Sequence, residues 1–216
     1  MSLETTQDVY DLFSRYNRAI WPMIIIAYIL AILMITLTIK KTDISDKLIS
    51  IILAFITLWI GIVLYLIFTL TLDPLWSVIL GIVWIIQAIL FLYFGVYKSS
   101  LSFKFEKNSY SIIGALMILY ALLMYPLIQI IIGHYYPVLA FFGVVPCPTT
   151  VFIFGILLMT DKKVPKTIII IPLCFSIITG LDMIFSYQFW VDLGLITSGI
   201  LGSMLIYYRN SNEFSD

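Results

Sequence analysis

The chain has 216 residues, of which 62% are hydrophobic and only 11% are charged, and its mean hydropathy is +1.09. A soluble domain has about 25% charged residues, so this chain has too little polar surface for a soluble protein and fits an integral membrane protein. The formal net charge is +0, which gives no indication of a nucleic-acid partner. The lipid bilayer is the partner that the composition predicts.

The N-terminal segment predicts a short amphipathic helix over Thr6–Arg18, because its apolar residues follow helical spacing and Thr5 or Thr6 suits the cap. Its acidic start is not typical of a cleavable signal peptide. We expect this helix to lie in the outer membrane–water interface, with Trp21 and Pro22 opening the first span after it.

Seven apolar runs are long enough to span a membrane, for which about 20 residues are needed. They are Trp21–Ile39, Leu48–Phe68, Trp76–Tyr97, Tyr110–Ile132, Val138–Thr160, Thr167–Phe185 and Val191–Tyr208. Short connections predict an all-α polytopic membrane bundle in which neighbouring helices are antiparallel. We expect one transmembrane domain over 1–216, made of an interfacial segment (1–19), a seven-helix bundle (20–208) and a cytoplasmic tail (209–216).

The distribution of positive charge predicts the orientation of the chain. Ten Lys and Arg residues fall in the first, third and fifth connections and in the C-terminal tail, whereas two, Arg15 and Arg18, fall on the other side. Cytoplasmic connections hold the excess of Lys and Arg. We therefore expect the N-terminus outside, the C-terminus in the cytoplasm and seven crossings of the cell membrane.

The stretch FFGVVPCPTT, Phe141–Thr150, interrupts the fifth run with two prolines. Proline has no N–H and breaks helix interiors, and Pro148 suits the first turn of a helix. Either a half-helix begins below the outer surface, or Leu139–Val145 forms a second helical piece at a kink. Irregular backbone at membrane depth needs protein partners or a wet cavity, so the break indicates either a binding cavity or a plain packing kink.

We expect a small-ligand site at this break, open to the outside. Its candidate binding residues are Gly143, Pro146, Cys147, Pro148, Thr149 and Thr150, with His134, Tyr136 and Asp73 at the outer mouth. A helix start offers N–H donors, so anions or neutral polar solutes are expected there, and cations at the carboxylates of the rim. Asp73 and Asp192 also suit simple caps of the third and seventh spans.

For four residues of the apolar runs we also have simpler expectations. Gln87 and Gln129 are expected to hydrogen-bond neighbouring helices. Cys147 and Cys174 fall at opposite depths, so we expect no disulfide between them. No motif indicates a cofactor, and the His, Cys and Asp residues lack the short spacing that is typical of a metal site.

Three blocks, RYNRAIWP at Arg15–Pro22, GHYYP at Gly133–Pro137 and FFGVVPCPTTVFIFGILLM at Phe141–Met159, resemble a family of bacterial and archaeal multi-pass membrane proteins defined as a domain of unknown function. The likeness covers nearly the whole chain. The matching positions are Asn17, Trp21, Pro22, Gly133, His134, Tyr136, Pro137, Pro146, Cys147, Pro148, Thr149 and Thr150. Asp73-Pro74 departs from the Asn-Pro expected there. The resemblance implies a single membrane domain and assigns no reaction, ligand or partner.

The leading interpretation is a permease or channel for a small polar solute or ion, with an outward-facing cavity at the broken fifth span. One alternative is a non-transporting accessory, sensory or scaffold membrane protein, and the other is a membrane-embedded thiol enzyme that uses Cys147. A cavity reaching mid-membrane favours transport, and a dry bundle with a flat outer face favours the accessory role. A catalytic base beside the Cys147 sulfur favours the enzyme.

Overall fold

The structure, a computed structural model, describes residues 5–213, which are helical apart from the connections and one isolated bridge between Phe103 and Thr160. The helices are α1 (Thr6–Ala19), α2 (Trp21–Ile39), α3 (Ser45–Trp59), α4 (Pro74–Phe91), α5 (Ser109–Leu119), α6 (Tyr125–Ile132), α7 (Pro146–Leu157), α8 (Lys166–Tyr187) and α9 (Leu193–Asn212). Wider π-helical turns extend α3 over Ile60–Thr69 and α4 over Leu92–Tyr97, and Tyr120–Met124 joins α5 to α6. A 3-10 turn, Trp190–Asp192, precedes α9.

Six helices within residues 5–213 are long and apolar enough to cross a membrane. They are Trp21–Ile39, Ser45–Thr69, Pro74–Tyr97, Ser109–Ile132, Lys166–Tyr187 and Trp190–Asn212. Each overlaps one of the predicted apolar runs. The prediction of an all-α protein with several helices of membrane-spanning length is therefore confirmed.

The fifth apolar run, Val138–Thr160, is helical over only part of its length, as the break at its prolines predicted. Residues 138–145 are irregular, and α7 has only 12 residues. At 1.5 Å per residue this is about 18 Å, well short of the ~30 Å hydrocarbon core. Of the two arrangements considered for this break, the structure has the half-helix. The helix begins at Pro146, two residues earlier than predicted, because Pro146 fits the first helical position, where the missing N–H is tolerated.

Side chains of α1 satisfy part of the irregular backbone that leads into α7. The Asn17 amide donates to the carbonyl oxygens of Pro137 at 2.6 Å and Leu139 at 2.7 Å. The Tyr16 hydroxyl donates to the carbonyl oxygen of Val144 at 3.1 Å. These side chains donate hydrogen bonds to carbonyl groups that lie outside any helix. Irregular backbone inside a bundle is tolerated when its polar groups have such partners.

Two further side chains complete this support. Gln129 accepts a hydrogen bond from the Ala140 N–H at 3.1 Å, and Thr149 accepts one from the Gly143 N–H at 2.9 Å.

Gln87 donates to the carbonyl oxygen of Ile168 at 3.3 Å. The prediction that Gln87 bonds a neighbouring helix is therefore confirmed, whereas Gln129 bonds the irregular residue Ala140 and not a neighbouring helix.

Helix α7 is the centre of the bundle, since all 12 of its residues are buried. It packs against α5, α8 and α9. Two glycines permit the close approach to α5, because a Cβ added to Gly155 would lie 2.7 Å from the carbonyl oxygen of Gly114. This central position explains why the run is apolar all round, which is also the pattern of a membrane span.

Arg209 donates hydrogen bonds to the carbonyl groups at the C-terminal end of α7. It lies within α9 and is buried, although it was predicted to begin a tail. Its guanidinium donates to the carbonyl oxygens of Leu158 at 2.9 Å and Leu157 at 3.3 Å, and also to the Thr160 hydroxyl. A cation at a helix C-terminus is favourable, so one residue caps a helix that has no solvent around it.

The Lys-rich connections meet at one end of the bundle. The Lys41 ammonium lies 2.9 Å from the Asp161 carboxylate and donates to the Ser102 hydroxyl at 2.5 Å. Partial burial raises the pKa of Asp161, but hydrogen bonds from Ser102 and Lys41 outweigh it and leave the pKa below its usual range. This network joins the first, third and fifth connections.

Helix α1 lies at the opposite end. Thr5 and Asp8 form a capping box at its start, and the Thr6 hydroxyl donates to the carbonyl oxygen of Tyr187 at 3.2 Å. The predicted helix over Thr6–Arg18 is present as Thr6–Ala19. Its apolar side, with Val9 and Leu12, is buried against the bundle.

Candidate functional site

A cavity of about 450 Å³ lies between α1, the extended α3, α4, α8 and the start of α7. Asp182 and Trp76 at its rim are exposed, and Asp73 is half-buried. Cys147, which also lines the cavity, is only 6% exposed. The cavity therefore opens at the α1 end of the bundle and ends at the first turn of α7.

The wall of the cavity is mainly apolar and aromatic. The aromatic residues that line it are Phe13, Tyr65, Trp76 and Tyr187. Its charged side chains, in the described part of the chain, are Asp73 and Asp182, and no Lys, Arg or His lines it. Aromatic faces and carboxylates both attract cations, so the wall suits an apolar molecule with a positive charge.

Asp73 is held at the rim by the start of α4. Its carboxylate accepts a hydrogen bond from the Trp76 N–H at 3.2 Å, and Pro74 follows as the first helical residue. The prediction that Asp73 caps this helix is confirmed. The cap fixes a negative charge at the cavity mouth.

The first turn of α7 has few N–H groups to offer a ligand. An α-helix normally leaves the N–H groups of its first positions without an intrahelical acceptor. Here Pro146 and Pro148 occupy the first and third positions and have no N–H, which leaves the one of Cys147. The two prolines thus reduce the number of unpaired N–H groups at this buried helix start, and an anion finds fewer donors there than predicted.

The hydroxyl groups of the PCPTT block bond to their own backbone. Thr149 donates to the carbonyl oxygen of Val145 at 2.6 Å, and Thr150 donates to that of Pro146 at 2.9 Å. Gly143 adopts φ 79°, and a Cβ added there would lie 2.5 Å from the Cβ of Ala27. Gly143 is therefore required by the turn and by its close approach to α2.

His134 and Tyr136 contact α1 instead of the cavity. The Tyr10 hydroxyl and the Nε2 of His134 are 2.7 Å apart, and the Tyr136 hydroxyl lies 3.5 Å from the carbonyl oxygen of Asn17. Burial raises the pKa of Tyr10, which favours its protonated form in this contact. Both residues hold α1 over the cavity mouth.

Of the nine predicted binding residues, the cavity wall brings together three, Asp73, Pro146 and Cys147. The other six, Gly143, Pro148, Thr149, Thr150, His134 and Tyr136, do not line it. Thr179 and Ser77 line it as well, and sequence reasoning missed them because an isolated hydroxyl in an apolar run gives no signal of which side it faces.

A buried carboxyl group next to the Cys147 thiol was also not predicted as part of the site. Asp192 was expected to cap α9, and this expectation is wrong, since its side chain makes no cap hydrogen bond. Its Oδ1 accepts a hydrogen bond from the Tyr125 hydroxyl at 2.5 Å, and the Cys147 thiol faces both groups. Both cysteines are free, with Cys147 buried and Cys174 exposed.

Two other arrangements are weaker candidates for a site. Within residues 5–213, no three His, Cys, Asp or Glu side chains converge closely enough to hold a metal ion. A second cavity of about 370 Å³ lies between α2 and α5, and in the described chain its wall has no charged side chain. The cavity that ends at Cys147 is therefore the better candidate for selective binding.

The chain belongs to the family described as Family of unknown function (DUF6064), which matches residues 6–214. This confirms the resemblance to a family defined as a domain of unknown function. No curated protein and no solved structure matches the chain.

Proposed function

We propose that the protein is a permease for small organic cations, which bind in the cavity at the α1 end of the bundle. The observation that supports this most is the composition of the cavity wall, with four aromatic residues, two carboxylates and no basic side chain in the described chain. Quaternary ammonium groups are recognised by this combination of aromatic faces and negative charge. A protonated amine or a quaternary ammonium ion is the ligand class that follows.

We also propose that the chain crosses the cell membrane seven times, with the N-terminus outside and the C-terminus in the cytoplasm. The irregular residues 138–145 and α7 together form the fifth crossing. Two observations support this topology: Lys41, Ser102 and Asp161 meet at one end, and Tyr10 meets His134 at the other. The Lys-rich end is then cytoplasmic, as the positive-inside rule requires.

In this orientation the cavity faces outward and α7 closes it toward the cytoplasm. The barrier is the fully buried α7. Its first turn contains two prolines, which have no N–H that needs an acceptor, and Arg209 donates a hydrogen bond to a carbonyl oxygen at its C-terminal end. On the outer side, α1 lies over the mouth with Val9, Leu12 and Phe13 in the wall. Transport then requires that α1 and α7 move in turn, in the alternating manner of membrane carriers.

A thiol enzyme is the second candidate, because Asp192 and Tyr125 lie beside Cys147. Reactive thiolates are stabilised by a nearby Lys, Arg, His or metal. In the described chain, neither the cavity wall nor the groups that face the thiol include a basic residue. The Asp192 carboxylate is a base, but its negative charge repels a thiolate, and no positive charge among these groups stabilises one, so the surroundings of Cys147 favour binding over nucleophilic catalysis.

Uptake of radiolabelled tetrapropylammonium into proteoliposomes tests the proposed function. We expect saturable uptake above that of protein-free liposomes. Asp73→Asn and Asp182→Asn should each weaken binding about fivefold, as expected for losing ~1 kcal/mol of attraction at a partly exposed charge. Asp43→Asn, an exposed carboxylate at the Lys-rich end, is the matched control and should have no effect.

Two outcomes would contradict the proposal in different ways. Binding of tetrapropylammonium without uptake would identify a sensory or accessory protein that uses the same cavity. If neither tetrapropylammonium nor any other organic cation binds or is taken up, the proposed ligand class is wrong.

A further inference from the structure

Asp192 is a carboxyl group in the interior of the bundle. It is 1% exposed and lies in Trp190–Asn212, one of the helices of membrane-spanning length. Its Oδ1 accepts from the Tyr125 hydroxyl at 2.5 Å, and it gives its own helix no cap. The side chain is therefore directed away from α9 and toward α6.

No positive group balances this carboxyl in the described chain. The titratable groups that face it are Tyr120, Tyr125 and Cys147, none of which is cationic. Helix α8 also packs against the turn, where a Cβ added to Gly180 would lie 3.7 Å from the Asp192 carbonyl oxygen. A buried carboxylate without a partner is costly, so its charge must be balanced by a proton or by a cation close by.

Cys147 connects this carboxyl to the cavity. Its thiol faces Asp192 on one side, and the same residue forms part of the cavity wall. A cation at the deep end of the cavity would therefore lie one side chain away from Asp192. At that range, in the interior of the bundle, opposite charges attract strongly.

We propose that Asp192 binds a proton when the cavity is empty and releases it when an organic cation occupies the cavity, a coupling that rests on the proposed function. In this exchange the O–H bond of Asp192 breaks, and its electron pair stays on the carboxylate, which keeps the Tyr125 hydrogen bond. The proton passes the Cys147 thiol into the cavity and leaves to water. One positive charge enters as one leaves, so the bundle keeps its net charge.

The coupling fixes the sign of the pH dependence. Because cation binding releases a proton, a higher pH favours cation binding, up to the pH at which Asp192 is already ionised. In that range the affinity should rise about tenfold per pH unit, the value for one linked proton. The rim carboxylates Asp73 and Asp182 ionise as well. Comparison of the wild-type protein with Asp192→Asn must therefore separate their effect on cation affinity from that of Asp192.

Two measurements on the full-length protein test this exchange. Infrared spectroscopy follows the C=O band of protonated carboxyl groups as the pH rises, without any ligand. Exposed carboxyl groups also lose this band as they ionise, so we expect one component of it to be absent in Asp192→Asn and present in Asp73→Asn. Calorimetry with tetrapropylammonium, which has no titratable proton, in two buffers of different ionisation enthalpy should give about one proton released per cation bound.

The outcomes of the two measurements distinguish failure of the proposed function from failure of the proton exchange. If tetrapropylammonium does not bind, the proposed function and the exchange both fail, and the infrared titration still decides whether Asp192 holds a proton. If the cation binds to the wild-type protein without proton release, or if release persists in Asp192→Asn, the exchange is overturned while the binding function stands. Tyr125→Phe serves if Asp192→Asn does not fold. It keeps the carboxyl but removes its donor, so it should shift the band frequency, and an unshifted band would also overturn the proposal.

Discussion

Arg209 places its guanidinium inside the bundle, where it donates to the last carbonyl oxygens of α7. Arg209→Met keeps much of the side-chain volume and leaves these buried carbonyls without their partner. We expect a loss of about 2–4 kcal/mol in the free energy of unfolding, because unsatisfied buried polar groups bear the full cost of desolvation. Thermal unfolding in detergent measures it. Arg18→Met, at an exposed position of α1, is the control and should change stability by less than about 0.5 kcal/mol. Equal thermal stability of the two variants would contradict the role given to Arg209.

At the residue scale, the sequence predicted local roles better than distant partners. Asp73 precedes a proline and caps the helix that follows, as expected from adjacent residues. Asp192 also precedes a helix, but its partner Tyr125 lies 67 positions away. A contact of that kind depends on how α6 and α9 pack, and one sequence does not contain that information. For the same reason Arg209 was predicted to belong to a tail.

At the scale of elements, the two prolines that begin α7 are the most specific feature of the chain. Pro148→Ala adds an N–H whose helical acceptor would be the Val144 carbonyl oxygen, which lies in the irregular segment before α7. Val145 is extended, with φ −113° and ψ 137°, so the helix cannot lengthen to pair the new N–H. We expect a loss of about 1–2 kcal/mol in the free energy of unfolding, the cost of an unsatisfied buried donor.

The matched control for this change is Pro74→Ala, at the exposed first position of α4. Its new N–H meets water or lipid headgroups, so stability should fall by less than about 1 kcal/mol. Chemical denaturation of both variants in the same detergent gives the comparison. If Pro148→Ala were as stable as the wild-type protein, the prolines would not be needed to satisfy the helix start.

The elements themselves were predictable where length and hydropathy suffice. Six apolar runs of span length are helices of span length, because a long helix hydrogen-bonds its own backbone wherever it lies. Hydropathy alone does not show that only part of the fifth run is helical, since a helix buried in protein and a helix facing lipid have the same composition. Only the proline pair at 146 and 148 indicated the difference, and it predicted the break to within two residues.

At the scale of the whole molecule, the proposed topology places α1 outside and the Lys-rich connections in the cytoplasm. Two exposed positions at opposite ends, Gln188 and Asp43, suit single-cysteine labelling in a Cys147→Ser, Cys174→Ser background. A membrane-impermeant maleimide added to intact cells should label Gln188→Cys and not Asp43→Cys. Labelling of Asp43→Cys alone would reverse the orientation, and the cavity would then face the cytoplasm.

The central claim is that the cavity ending at Cys147 admits organic cations, and the thiol itself can report on it. In Cys174→Ser, Cys147 is the remaining cysteine of the chain. A trimethylammonium methanethiosulfonate reagent should modify it about tenfold faster than the sulfonate analogue, after each rate is normalised to a free thiol, because the carboxylates of the wall attract the cation. Tetrapropylammonium should slow this reaction by occupying the cavity. Equal normalised rates for the two reagents, or no protection by tetrapropylammonium, would contradict the account.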